Sequence, residues 1–206
     1  ERLIGPCLDD LVSQSLFQRG QLEVIVVDSG SEQNEKQVVE TYRERFRNII
    51  YFRTERESIY AAWNRAIRVS RGKFVTNANT DDTHREDALE KLAAALLQHP
   101  DADLAYGDFI NTSVPNDSFA NPKIIREVRL PRYEPATVLF YSVTGCHPMW
   151  RRSLFGKMGL FDPRYPSVGD YEFLLRFVRA GRCAVHVPEV LSLFCENQQG
   201  IQFKTA

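Results

Sequence analysis

Residues 22–27, Leu-Glu-Val-Ile-Val-Val, constrain the fold of this 206-residue chain more than any other stretch. They form a short, nearly continuous apolar run, rich in β-branched residues, that stops at Asp28-Ser29-Gly30-Ser31. Such runs make strands buried on both faces, as in a parallel sheet covered by helices. Parallel neighbours need crossover helices, and the next residues supply them. Residues 35–46 carry Val38, Val39, Tyr42 and Phe46 at helical spacing, and residues 49–52 read as a second strand. Residues 58–69 place Ile59, Ala62, Trp63, Ala66, Ile67 and Val69 along one side of a helix that Gly72 stops. A third strand over 73–77, a helix over 87–98 and a fourth strand over 104–106 complete the series. This alternation predicts an α/β sandwich with a mostly parallel, doubly wound central sheet.

The remainder is less periodic. Residues 111–135, with Pro115, Pro122, Pro131 and Pro135, read as an irregular excursion. Order returns from Val138, with a short helix over 152–158, an amphipathic helix over 170–180 (Phe173, Leu174, Phe177, Val178) and closing strands over 184–187 and 191–194. The expectation is one domain over 1–206, with a periodic half at 1–110 and a less regular half at 111–206. The chain opens on a helical pattern (Leu8, Leu11, Val12, Leu16), so the sheet's usual first strand is expected to be absent from it. At 43% hydrophobic residues a sizeable core is available, and 26 basic against 27 acidic residues give no footprint for nucleic acid. Cys7, Cys146, Cys183 and Cys195 are scattered without a CxxC pair, which argues against a disulfide framework or zinc site and for a reducing compartment.

Three acidic turns could carry chemistry. Asp81 and Asp82 follow the third strand; as paired carboxylates they suit a hard divalent cation that also binds diphosphate oxygens, and as single residues they suit helix capping. Asp28 and Ser29 end the first strand, where open α/β sheets bind ligands, although Asp-Ser-Gly-Ser is equally a turn sequence. Asp170, in Gly169-Asp170-Tyr171-Glu172, is either a general base or an acid favoured by the helix dipole. No GxGxxG or GxxxxGK[ST] motif occurs. His147 divides evenly between ligand contact and structure. Asn64 needs a polar partner beside its apolar face, Trp63 reads as core, and Arg176 pairs with Glu172 at i,i+4 spacing. His84 and His186 read as structural.

Taken in order, these segments resemble family 2 glycosyltransferases, inverting enzymes of the GT-A fold. The resemblance rests on Cys7-Leu8-Asp9-Asp10-Leu11 with Gln14-Ser15, Glu23 through Ser31, Tyr60 through Ala66, Gly72-Lys73-Phe74 with Asn79-Thr80-Asp81-Asp82, Gly159-Leu160-Phe161-Asp162, and Gly169 through Glu172. It implies a nucleotide-sugar-binding half at 1–110 and an acceptor-side half at 111–206, with a nucleoside diphosphate sugar donor bound by Asp28, Ser29, Asn64, Asn79, Asp81 and Asp82. It also implies a Mn²⁺ or Mg²⁺ ion on Asp81 and Asp82, Asp170 as the base, and a carbohydrate or glycolipid acceptor near His147 and Glu172. The setting implied is cytoplasmic, with peripheral association at the inner membrane face. Asn79 stands where the family usually has its first Asp, and Ser29 where a second Asp is frequent. The Gln-x-x-Arg-Trp motif of processive synthases is absent, which favours single addition. The alternatives are a degenerate nucleotide- or partner-binding domain and a sugar nucleotidyltransferase.

Overall fold

The computed structural model describes residues 2–140 and 142–196. Helices α1 (Ile4–Ser13) and α2 (Ser15–Gln18) lead into strand β1 (Val24–Ser29), α3 (Glu35–Arg45), β2 (Ile49–Thr54), α4 (Ile59–Val69) and β3 (Phe74–Thr76). Then come β4 (Thr83–His84), α5 (Ala88–Gln98), β5 (Ala102–Thr112), β6 (Ile124–Val128), a 3₁₀ turn (Pro135–Leu139), β7 (Met149–Arg151), α6 (Arg152–Met158), α7 (Gly169–Arg179) and β8 (Cys183–Cys195). Among the described residues no strand precedes α1.

The two long ladders, β1 with β2 and β5 with β8, are parallel. Shorter antiparallel pairings attach β3 to β7, β4 to β8, and both β7 and β6 to β5. The strands fall into a pair, β1-β2, and a mixed group ordered β3-β7-β5-β8-β4, with β6 beside β5. Consecutive residues of the central strands point to opposite faces, so the sheet is buried on both sides. Leu104, Tyr106 and Trp150 join the core under α4, α6 and α7, while Ala105 and Met149 join the core under α5. A third core packs α1 and α3 against β1 and β2 through Leu8, Leu11, Val24, Val39 and Ile49. Strand β5 runs across position 110, so the two halves expected from the sequence share one sheet.

Two expectations are corrected here. The excursion at 111–135 contains strand β6, whose Ile124 and Ile125 are exposed on the sheet edge. The two closing strands are one strand, β8, interrupted in register where Gly107 pairs with Val187 and Asp108 with Val190. Pro188 lies in that gap; having no N–H to give the ladder, it forces a bulge in a strand that continues past it.

Candidate active site

Asn79-Thr80-Asp81-Asp82 follows β3 as a turn fastened from several sides. Asn77 donates its amide to the Cys146 carbonyl at 3.0 Å, and Asn79 donates to Asp82 Oδ2 at 2.7 Å. The Asn116 backbone N–H reaches the Asp81 carbonyl at 2.7 Å. The two aspartates differ. Asp82 turns inward, its side chain 1% exposed, and its Oδ1 accepts the Cys195 N–H at 2.8 Å. Asp81 is half-buried. Asn79 thus supports the turn: its amide donates to the Asp82 carboxylate, where a second carboxylate would repel it.

Beneath this turn lies a polar cluster. Asp10 of α1 accepts the His84 N–H at 3.1 Å and holds its Nδ1 at 2.7 Å. His84 stacks on His147, ring centroids 4.0 Å apart, and His147 Nε2 lies 3.3 Å from Asp82 Oδ2, off hydrogen-bond alignment. Burial and the neighbouring His84 hold His147 below the usual imidazole value against the pull of Asp82 and Asp10. Cys146 Sγ sits 3.0 Å from Ser192 Oγ, and burial with the Asp82 charge pushes its thiol well up. Of the two sequence readings for His147, the fold supports the structural one by burying it under the Asp82 turn.

At the end of β1, Asp28 is buried and its carboxylate is fully engaged. Oδ1 accepts the Ser31 N–H at 2.8 Å and the Ser31 hydroxyl; Oδ2 accepts Tyr51 at 2.6 Å and Arg53 at 2.7 Å. Burial raises its pKa, but the Ser31 and Tyr51 hydrogen bonds and the Arg53 charge outweigh that and hold it low. Ser29 Oγ accepts the Glu57 N–H at 2.7 Å. Both residues thus shape the strand-end turns.

Asp170 opens α7. Its Oδ1 accepts the Tyr60 hydroxyl at 3.0 Å, so a phenol in the first turn of α4 orients it. Burial, with the Asp170 charge, pushes Tyr60 up to about 12. Gly169 makes the approach possible, since a Cβ there would stand 2.7 Å from the Tyr60 ring. The preceding Val168 holds φ 55°, a left-handed conformation unfavourable for a β-branched residue.

Two further candidates are engaged within the fold. Asn64 spends both ends of its amide on the backbone of Phe161, donating to its carbonyl at 2.7 Å and accepting its N–H at 3.0 Å, a buried clamp that argues for a structural role. Glu172 is committed to a two-bond pair with Arg176 (2.7 and 2.9 Å), which also donates to the Met158 and Leu160 carbonyls. Both partners are engaged, which argues against acceptor binding by Glu172. Trp63 packs edge-on against Tyr60 and Phe161, and His186 bonds Asp108, both as core residues. Sequence reasoning missed Tyr60, Asp10 and Cys146. The adjacent Cys146-His147 pair was the available signal for the last.

A sequence model described as Glycosyl transferase family 2 matches residues 1–156. A PGL/p-HBAD biosynthesis glycosyltransferase of Mycobacterium tuberculosis is 27% identical over 176 residues, which is 84% of this chain and 64% of that protein. Glycosyltransferase AglE of Haloferax volcanii is 24% identical over 197 residues, covering 91% and 61%. The chain spans a little under two thirds of these relatives' length. Among solved structures, S. aureus TarS in complex with UDP-GlcNAc matches with TM-score 0.76 at 21% identity, over 100% of this chain and 58% of that one. Mannosyltransferase PcManGT from Pyrobaculum calidifontis, in complex with GDP-Man and Mn²⁺, matches with TM-score 0.67 at 20% identity, over 97% and 55%. The fold is that of the GT-A glycosyltransferases. With its strand-end turns and α4 inside the matched span, the chain belongs to glycosyl transferase family 2.

Proposed function

We propose that this chain is the catalytic domain of an inverting glycosyltransferase that moves a sugar from a nucleoside diphosphate sugar to an acceptor hydroxyl. The observation that carries this reading is the placement of Asp170. Its carboxylate stands at the amino end of α7, oriented through one oxygen by Tyr60, and the second oxygen is the atom that would accept the acceptor hydroxyl's proton. The oxygen so activated attacks the anomeric carbon from the face opposite the diphosphate, which inverts the configuration. Asp28 would act through Ser31 and Arg53, the groups it fixes at the nucleotide end of β1. A Mn²⁺ or Mg²⁺ ion would be held at the Asn79–Asp82 turn chiefly through Asp81, since Asp82 faces inward; such an ion neutralises charge on a departing diphosphate. Carboxylate and carbonyl oxygens in this turn are donors that suit a hard cation.

The acceptor would be a carbohydrate or a glycolipid. Leu139 and Phe140, 66% and 80% exposed, follow the Val138 carbonyl that bonds Tyr171 of α7. They offer an apolar lip for a lipid-linked acceptor or for peripheral membrane contact. Among the described residues no helix is long and apolar enough to cross a membrane.

The test is transfer itself. Asp170→Asn should reduce turnover by a factor of at least ~10² while leaving nucleoside diphosphate affinity nearly unchanged by titration calorimetry. Retained turnover would overturn the assignment of the base. A thermal-shift screen of UDP-, GDP- and dTDP-sugars with Mn²⁺ should identify the nucleotide, because a bound donor stabilises the fold by mass action.

A further inference from the structure

We propose that the inner side of the Asn79–Asp82 turn is a transition-metal site ligated by Asp82, Cys146 and His147. This proposal rests on the donor set and is independent of the glycosyl-transfer reading. One ligand atom from each residue lies within 4.8 Å of the others, and the His147 Nε2 to Asp82 Oδ2 edge is 3.3 Å. Around a tetrahedral ion with bonds of roughly 2.0–2.3 Å, neighbouring donor atoms stand about 3.3–3.6 Å apart. One edge already has that length, and the Cys146 Sγ lies within 4.8 Å of both other ligand atoms.

The second observation is His147 itself. It is buried, with 5% of its surface exposed; among the described residues its Nδ1 has no hydrogen-bond partner, and its Nε2 faces Asp82 Oδ2 at 3.3 Å, off hydrogen-bond alignment. A buried imidazole must place at least one N–H and one lone pair somewhere, and an orphaned pair is costly. An ion on one nitrogen resolves half of that conflict. His84, whose Nε2 is buried with no hydrogen-bond partner among the described residues, stacks on His147 and is anchored by Asp10, so it holds the ring in place. Outer contacts are also present. Asn79 Nδ2 and the Cys195 N–H donate to the Asp82 carboxylate, and the Ser192 hydroxyl lies against Cys146 Sγ, where it can donate to a thiolate.

A nitrogen, a sulfur and one carboxylate oxygen select Zn²⁺ or Co²⁺ over Mg²⁺. Three protein ligands leave the fourth position to a water. Binding releases the Cys146 thiol proton to solvent. The ion would tie the turn after β3 to the segment before β7, making that turn rigid.

The test is cobalt spectroscopy on the chelator-treated full chain without any sugar nucleotide. One equivalent of Co²⁺ should produce intense visible d–d bands and a near-ultraviolet thiolate-to-cobalt charge-transfer band, unaffected by excess Mg²⁺. Cys146→Ser should remove the charge-transfer band. His147→Gln should weaken Co²⁺ binding by about tenfold or more, and Asp81→Asn should leave the band unchanged. Circular dichroism checks that each variant folds, and Cys146→Ser, which changes one atom, decides the question if His147→Gln does not fold. No charge-transfer band in the parent chain, or a band that survives Cys146→Ser, would overturn the site. Because the titration contains no sugar nucleotide, either result leaves the separate donor-binding measurement to judge the proposed transfer reaction.

Discussion

At the scale of single residues, Gly169 and Tyr60 show how tightly the α7 entrance is built. The Tyr60 ring occupies the space where any side chain at 169 would begin, with its ring carbons 2.7–2.9 Å from an added Cβ. Backbone and a ring packed between Trp63 and Phe161 cannot both yield, so Gly169→Ala should destabilise the fold by about 1–3 kcal/mol. Denaturant unfolding measures that loss. Tyr60→Phe keeps the ring and removes only the hydroxyl, so it should cost about 1 kcal/mol of stability while lowering turnover more than donor affinity. Equal effects on both would mean that the hydroxyl does not orient Asp170. The same scale explains what is legible in sequence and what is not. Asp28, Asp81, Asp82 and Asp170 stand out because each is an acid at a strand end or helix start. The direction each carboxylate faces does not, because it depends on partners far along the chain: Cys195 for Asp82 and Tyr60 for Asp170. Asn64 needs a partner on either reading, but an amide matches a backbone pair as well as it matches a ribose.

At the scale of elements, the loop between α6 and α7 is held by clamps on both sides. Asn64 of α4 grips Phe161 through two buried hydrogen bonds, and Arg176 of α7 gathers the Met158 and Leu160 carbonyls. Asn64→Ala would leave the Phe161 N–H and carbonyl buried and unpaired, a loss of about 2 kcal/mol or more. Chemical denaturation would register it, and a change below about 0.5 kcal/mol would mean that the loop re-forms around water. Helices are the most legible elements, because their apolar faces repeat at 3.6 residues and survive local irregularity. Ser58 is the N-cap of α4, accepting the Ala61 N–H, which moves the start of that helix by one residue from the sequence expectation. Strands β4, β6 and β7 escape sequence reasoning for a common reason: they are two to five residues long and exist through pairing with distant partners.

For the whole molecule, stability should respond to pH through groups spread across the fold. Asp28 is held below its unfolded value of 3.8, so its contribution is present above about pH 4 and is lost as pH falls through the folded value. Tyr60 and Tyr133 run the other way. Burial pushes both from 10.0 to about 12, so their contribution is complete below about pH 10 and is lost as pH rises towards about 12. Melting temperature followed across pH should therefore fall less steeply in acid for Asp28→Asn, and less steeply in alkali for Tyr60→Phe with Tyr133→Phe, than for the parent chain. Unchanged slopes would show that other groups govern both limbs. The α/β class is legible throughout because buried strands alternate with amphipathic helices. The short antiparallel additions that make the sheet mixed are hidden.

The hydrogen bond from Cys195 N–H to Asp82 closes a stretch of 113 residues. Chain closure over such a distance is entropically costly and comes late in folding. A chain growing from the ribosome would complete β1, β2 and β3, with the turn carrying Asn79 to Asp82 already synthesised, long before β8 could arrive to brace it. That turn would take its final shape only when β8 docks beside β5, so its bracing waits on the last strand of the described residues.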